Sequence, residues 1–534
     1  MPIRNSLTRR DAILVLVGAA CMHLFTVFFL HESAAPEILI DPGVREVYPP
    51  DPPPPVYRTK TLITTLVQPS TVTTTFVAQP TAGPVSSSPL DLALQLPVTS
   101  LVAHAPGWTL FKNLYMSNGT FIIVSDTPLE FPEIRLMTSN PAKAENNPEN
   151  IALREPKPWS MVIVSAAEAR HRWGDDVLVN EPTQFLRHFY HLVAELFFGV
   201  QAFWHGAFSA SLTDTDREYM LGPHPAPPPI HRVIFARSNA DGWRDGPGFN
   251  AYFMRAAFPA TTVEVMEDWE DRVTITSSGD RAWHFPLLLL TDRSASHRGE
   301  ICGSQTQRIA AEAFDAMRKK NQLVGIRVGG WWEPVRHAML RFAGADLSPP
   351  ENTEQVVLSS DVREGDPKLP MPSKIVITYI TRQEAGQRKL TPESHDGLVS
   401  ALQELVRRKG AGWELNVMQA EKMTKDEQLR VISRTTILLG VHGNGLTHLV
   451  MMQPTRISTV IEMFYPGGFA HDYQWTTRAL GMKHFAVWND QYRTEGLGEG
   501  KPKVDYPEGF QGNSIPVDGR TVARLIEDRV EGRL

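Results

Sequence analysis

From about Trp108 onward, short apolar runs alternate with stretches whose hydrophobic residues recur at helical spacing. Runs at Leu110 to Met116, Thr120 to Val124, Met161 to Ser165, Arg232 to Ala236 and Trp283 to Leu290 predict strands. Between them, Phe185, Phe189, Leu192, Leu196 and Phe197 fall on one side of a predicted helix over Thr183 to Trp204. A second series follows the proline-rich, acidic stretch Ser348 to Pro372. Its strands are expected at Lys374 to Tyr379, Trp413 to Met418, Thr435 to Gly440, Ser458 to Phe464 and Met482 to Val487, with helices over Ser394 to Arg408 and Lys425 to Ser433. Strands alternating with helices in this way predict an α/β layer fold, and the second series reads as a doubly wound nucleotide-binding half.

The first hundred residues follow a different pattern. Ala12 to Leu30 is an apolar run free of charge, preceded by Arg4, Arg9 and Arg10, and its length suits a bilayer crossing. Basic residues ahead of the span predict a cytoplasmic tail and a lumenal or extracellular body. A cleaved signal peptide is the rival reading. Residues 31–106 are rich in proline, threonine and serine, which predicts a disordered stalk.

Composition narrows the field of functions. The 534 residues carry a formal net charge of -6, which argues against a nucleic-acid partner, and 42% hydrophobic content suits sizeable cores. Cys21 and Cys302 are the only cysteines, so no disulfide framework is expected. Asn118-Gly119-Thr120 is a glycosylation sequon lying where a turn is expected.

The most informative segment is Val441-His442-Gly443-Asn444-Gly445-Leu446-Thr447-His448, which follows an apolar run and precedes Leu449-Val450-Met451-Met452. A strand, a glycine corner and a helix start can form a cradle for phosphate or a close-packed turn. Three further constellations bear on that choice. His191 and Glu195, four apart on a predicted helix, share one face and could act together on a hydroxyl proton. Arg382 stands at the carboxyl end of a predicted strand, with Arg388 and Lys389 close behind, where a guanidinium can meet phosphate. Glu462, inside an apolar run, suits either the two hydroxyls of a ribose or a charge on an edge strand. Asp214-Thr215-Asp216 matches a metal-holding DxD pattern but follows no apolar strand, and reads as a cap or loop. His442 and His448 lack companions at metal-ligand spacing, so no metal is expected. The HGNG tetrapeptide could also suggest an esterase oxyanion loop, but the chain has no GxSxG nucleophile elbow.

In their order, these segments resemble glycosyltransferase family 61, which includes EGF-domain O-GlcNAc transferase and the plant xylan arabinosyl- and xylosyltransferases. The matching residues are Phe189-Tyr190-His191-Leu192-Val193-Ala194-Glu195, Tyr379-Ile380-Thr381-Arg382 with Arg388-Lys389-Leu390, Asp426-Glu427-Gln428 leading to the Gly440–His448 block, and Val460-Ile461-Glu462. The resemblance implies a GT-B fold, two Rossmann-like domains facing a cleft, and inverting transfer of GlcNAc, xylose or arabinose from a UDP-sugar without a required metal or cofactor. It casts Glu195 as the base on the acceptor hydroxyl, assisted by His191. Arg382, Arg388 and the loop His442, Gly443, Asn444, Gly445, Leu446 and Thr447 then surround the donor, with Glu462 beside them. Where relatives commonly carry Asp and His-Gly-Ala-Gly, this chain has Glu195 and Asn444.

The expected organisation is a cytoplasmic tail (1–11), a transmembrane signal anchor (12–30), a stem (31–106) and an acceptor-side Rossmann-like domain (107–347). A linker (348–372), a donor-binding Rossmann-like domain (373–500) and a C-terminal segment packing back on the body (501–534) complete it. Expected partners are the UDP-sugar, a glycoprotein or polysaccharide acceptor, and an endoplasmic reticulum or Golgi membrane crossed once in type II orientation. A catalytically inactive lectin-like or nucleotide-binding protein of the same fold is the alternative.

Overall fold

The computed structural model describes residues 97–140, 142, 148–165, 186–208, 227–279, 281–301, 309–320, 322–323, 329–347, 369–494 and 506–534. All of them belong to one compact unit, Val85–Leu534. The expected anchor over 12–30, most of the stem, the Asp214-Thr215-Asp216 triplet, Cys21, Cys302 and most of the linker lie outside the described residues. Among the described residues, no helix is long and apolar enough to cross a membrane.

The N-terminal part is built from β1 (Ser100–Ala105), β2 (Trp108–Ser117), β3 (Thr120–Val124) and β4 (Met161–Val164). A small parallel pair, β5 (Arg232–Ile234) and β6 (Thr262–Glu264), follows, and then β7 (Trp283–Thr291). β1, β3 and β7 all pair antiparallel with β2, and only β3–β4 is parallel. This departs from the doubly wound pattern expected for residues 107–347. The reason is local: Asn118 and Gly119 take φ of 48° and 75°, the left-handed pair of a tight hairpin turn, which returns the chain beside itself. β1 lies within the range expected for the stem, so the sheet begins earlier than the composition of that segment indicates.

The C-terminal part holds β8 (Ile375–Ile380), β9 (Trp413–Met418), β10 (Ile437–Val441), β11 (Thr459–Met463), β12 (Lys483–Trp488) and β13 (Gln491–Thr494). Their spatial order is β13-β12-β11-β10-β8-β9, parallel throughout except for the β12–β13 edge. Strand order therefore reverses between β8 and β10. In open α/β sheets such a switch point opens a crevice at the carboxyl ends of the strands, where ligands bind.

Both faces of this sheet are covered, as parallel strands require. Ile377, Leu439 and Ile461 face a core closed by the helices Pro392–Lys409 and Gly519–Val530. The latter helix lies in the C-terminal segment and is integral to this core, through Val522, Leu525 and Ile526. On the other face, Leu438 and Val460 join a core that also holds Leu192, Leu196, Phe203, Leu446 and Leu449. The long helix of the N-terminal part is thereby packed against the segment that follows β10. That contact is what brings His191 near the glycine loop.

Candidate active site

The chain leaves β10 at Val441 and enters a tight helix over Asn444–Met451. Gly443, between them, has φ of 150° and ψ of 177°, a conformation open in practice only to glycine. A Cβ here would lie 3.0 Å from Arg382 Nη1, 3.3 Å from Arg382 Cζ and 3.6 Å from Arg388 Cζ. Two guanidinium groups thus stand over one bare Cα at the β8/β10 switch point. Arg382 follows β8 directly and donates to the Gln387 carbonyl at 3.2 Å. Arg388 has φ of 59°, a strained backbone for a residue with a side chain, and its flank is tied down by Lys389 N–H to Gly512 O and Ile515 N–H to Lys389 O.

Among the described residues, neither arginine has a carboxylate partner, and the Nε of each is buried without an acceptor. Burial, then the neighbouring Arg388 charge, pushes the Arg382 guanidinium below its ordinary pKa. Like charges held together in partial burial are favourable only if an anion joins them. The backbone N–H groups of Gly443, Asn444 and Gly445 likewise have no acceptor among the described residues. Leu446 N–H, expected to serve the donor, instead donates to Gly443 O at 2.9 Å, and the Leu446 side chain is core. Thr447 is fully buried and donates its hydroxyl to Asn444 Oδ1 at 3.2 Å. Asn444 Oδ1 also accepts from Tyr190 N–H at 3.2 Å, which pins the loop to the start of the long helix.

That helix begins with a π-helical stretch, Tyr190–Phe197, continued by the α-helix Phe198–Phe208. Such i→i+5 turns recur at functional sites. His191 Nδ1 lies 2.6 Å from Glu195 Oε2, and Arg293 Nη1 donates to the same oxygen at 2.8 Å. Glu195 is sealed, its side chain 1% exposed against 14% for His191. Burial would raise the Glu195 pKa, but Arg293 and His191 outweigh it and hold the carboxyl below the usual range. A fully buried, ion-paired carboxylate cannot reach an acceptor hydroxyl and binds protons poorly. Of the pair expected to act on the acceptor hydroxyl, His191 is therefore the more exposed member and Glu195 the buried one. His188, with its ring 4.7 Å from that of His191, is held down to about 4 by burial and then by His191.

Glu462 is not an edge-strand charge. It lies on β11, an interior strand of the six, and both its oxygens are engaged: His442 Nδ1 at 2.5 Å and His484 Nε2 at 2.7 Å. Arg293, His484, Tyr190 and Tyr473, whose rings lie 4.8 Å apart, were not among the expected site residues. Arg293 carries the same signal as Arg382, a cation just past an apolar run ending in threonine. His484 is legible as an isolated polar residue in an apolar strand, whereas nothing in the pattern marks Tyr473.

Residues 285–461 match the family model described as Glycosyltransferase 61. The match supports membership of glycosyltransferase family 61. The match runs from β7 through Arg293, Arg382, Arg388 and the glycine loop to β11, the stretch that carries the switch point and its cations. No curated protein matches the chain. The protein is accordingly a glycosyltransferase, acting on a sugar donor and an acceptor, and its cation pair, glycine loop and His191 lie within the packing just described.

Proposed function

We propose that this glycosyltransferase inverts the anomeric centre while moving GlcNAc, xylose or arabinose from a UDP-sugar to a hydroxyl of a glycoprotein or polysaccharide. The observation that carries the reading is the unpaired Arg382–Arg388 couple over Gly443. A diphosphate brings the charge these groups lack, and it fits where no side chain occupies the loop. The N–H groups of Gly443, Asn444 and Gly445 add neutral donors from the start of a helix. On this reading the parallel sheet is the donor half, and the N-terminal sheet with its long helix the acceptor half, of a GT-B arrangement. The run at 12–30 would anchor the protein in a Golgi or endoplasmic reticulum membrane with the body in the lumen.

The acceptor end follows from the tautomer of His191. With Nδ1–H donating to the Glu195 carboxylate, the basic lone pair resides on Nε2, which takes the hydroxyl proton as the acceptor oxygen attacks the anomeric carbon. Glu195 fixes the ring and Arg293 fixes Glu195. The two arginines supply at the leaving group the positive charge that a divalent ion brings in other transferases. UDP release from a panel of UDP-sugars, with hydroxyl acceptors and with or without chelator, tests this. Turnover of one donor, indifferent to chelator, is expected; absence of release from every donor, or loss of activity on chelation, would contradict it.

A further inference from the structure

We propose that His442 is a general acid at the leaving-group end of the reaction, handing a proton drawn from Glu462 to the departing diphosphate, with His484 holding Glu462 in register. The inference rests on the donor reading above. Its geometry is a file of three side chains on neighbouring strands: His484 near the start of β12, Glu462 on β11 and His442 just past β10. The contacts are 2.7 Å and 2.5 Å, and side-chain exposure rises from 1% and 0% at His484 and Glu462 to 9% at His442. The file therefore opens toward solvent only at His442, the residue preceding the Gly443 cradle. Among the described residues, the outer nitrogen, Nε2, makes no hydrogen bond. Phe464 stacks on the His442 ring at 5.4 Å, and Phe510 closes on it at 5.3 Å.

Proton placement follows from the surroundings. Arg382 and Arg388 face His442 from the segment after β8, and Tyr473 packs on it from the helix Asp472–Ala479; Asp472 of that helix, Tyr506 of the C-terminal segment and Arg388 face Glu462, while Arg478 and His471 face His484. Among the described residues no Lys or Arg pairs with Glu462, and the more distant Arg388 only partly offsets its burial. Burial, then Asp472, lifts its carboxyl well above the usual range. Burial, then the arginines, holds His442 and His484 at about 3. Three neutral groups with two contacts admit two arrangements, with the chain of donors running outward to His442 or inward to His484; an anion at the diphosphate site favours the outward one, because it presents N–H rather than a lone pair to the phosphate oxygens. There His484 Nε2–H donates to Oε2, the Glu462 carboxyl O–H donates to His442 Nδ1, and the His442 proton sits on Nε2, toward the diphosphate site.

The His191–Glu195 pair is its mirror image. There Arg293 keeps the glutamate ionised, so the imidazole proton lies on the inner nitrogen and the outer one is basic. Here no described cation pairs with the glutamate, and in the outward arrangement the inner nitrogen accepts and the outer one is acidic. Two His–Glu pairs whose environments drive the carboxyls in opposite directions divide base and acid between them. In the step, the bond from the anomeric carbon to the phosphate oxygen breaks, with its electron pair staying on oxygen. His442 Nε2 gives its proton to that phosphate while the Glu462 proton moves to Nδ1, leaving a carboxylate. His191 receives the acceptor proton, and exchange with solvent resets both ends.

Glu462→Gln is the decisive variant, because its amide can donate to His442 Nδ1 and accept from His484 but has no acidic proton. In the full chain, UDP affinity is expected to stay within about threefold while kcat falls roughly 10²–10⁴-fold. The wild-type kcat is expected to decline at alkaline pH, and the variant to lack that limb. Nitrogen-15 spectra of histidine-labelled full chain, with His442 identified by its loss in His442→Gln, are expected to show the proton on Nε2. A proton on Nδ1, unchanged kcat in Glu462→Gln, or parallel loss of UDP binding and turnover would each overturn the relay. A wild-type chain that does not bind UDP would instead overturn the donor reading, and the relay with it.

Discussion

Arg293 donates to Glu195 at 2.8 Å, and neither side chain is exposed by more than 1%. Removing one member of a buried ion pair leaves the other uncompensated, at a cost of about 3–5 kcal/mol. Arg293→Met and Glu195→Gln should therefore each lower stability on that scale, and each should lose activity because His191 loses its orientation. Denaturant unfolding checks the first effect; midpoints equal to wild type in either variant would show that the pair is not the lock described.

His191 separates chemistry from structure. It is the exposed end of the pair, and in His191→Asn the fold should persist, UDP affinity should be unchanged and kcat should fall about 10²–10⁴-fold. Steady-state kinetics beside a UDP titration make the distinction. A variant with raised KM and intact kcat would assign His191 to binding.

Gly443 should tolerate no side chain. In Gly443→Ala the new Cβ meets Arg382 Nη1 at 3.0 Å, and the φ of 150° becomes strained, at roughly 1–3 kcal/mol. Weaker UDP binding together with a lower unfolding temperature is expected. Asn444→Ala should behave differently: it loses the hydrogen bond to Tyr190 N–H, costing about 1 kcal/mol, but keeps the loop amides and most of the activity. Equal behaviour of the two variants would remove the backbone from the argument.

Stability should depend on pH through the buried histidines. His104, His188, His297 and His448 are held down to about 4, and His442 and His484 to about 3, in each case chiefly by burial. Unfolded, each ring titrates near 6.5. Between these values the unfolded chain binds more protons, so stability rises with pH over that window and is lost as pH falls from about 6.5 toward 4. Thermal unfolding from pH 7.5 to 4.5 should show the midpoint falling below pH 6.5. A flat profile there would mean these rings titrate normally in the fold.

The parallel sheet was legible because its strands are apolar runs separated by capped helices. Trp413–Met418 and Lys425–Ser433 match the expected bounds, and Thr424 and Glu427 form the reciprocal cap that starts the latter. The N-terminal sheet was not, because apolar alternation gives strand positions without pairing direction, and the one local cue, Asn118-Gly119, is a hairpin signal inside a glycosylation sequon. Arg382 and Gly443 stood out in the sequence by their places after strand ends, and the fold brings them together with Arg388. The surroundings of Glu195 and Glu462 were not legible, for a shared reason. A carboxylate near a strand end or on a helix face has one appearance in sequence, while its role depends on partners, Arg293 or His484, that lie 98 and 22 residues away.

In the proposed function, Arg382 and Arg388, over Gly443, hold the diphosphate of the donor. Calorimetric titration of UDP into the full chain and its Arg382→Ala variant, in buffer with chelator, tests it most directly. The wild-type chain should bind UDP, and Arg382→Ala should bind it about 10- to 100-fold more weakly, as the loss of a charged hydrogen bond worth roughly 1.5–3 kcal/mol implies, with an unchanged unfolding midpoint. Equal affinity in the two proteins, or UDP binding that requires a divalent ion, would contradict it.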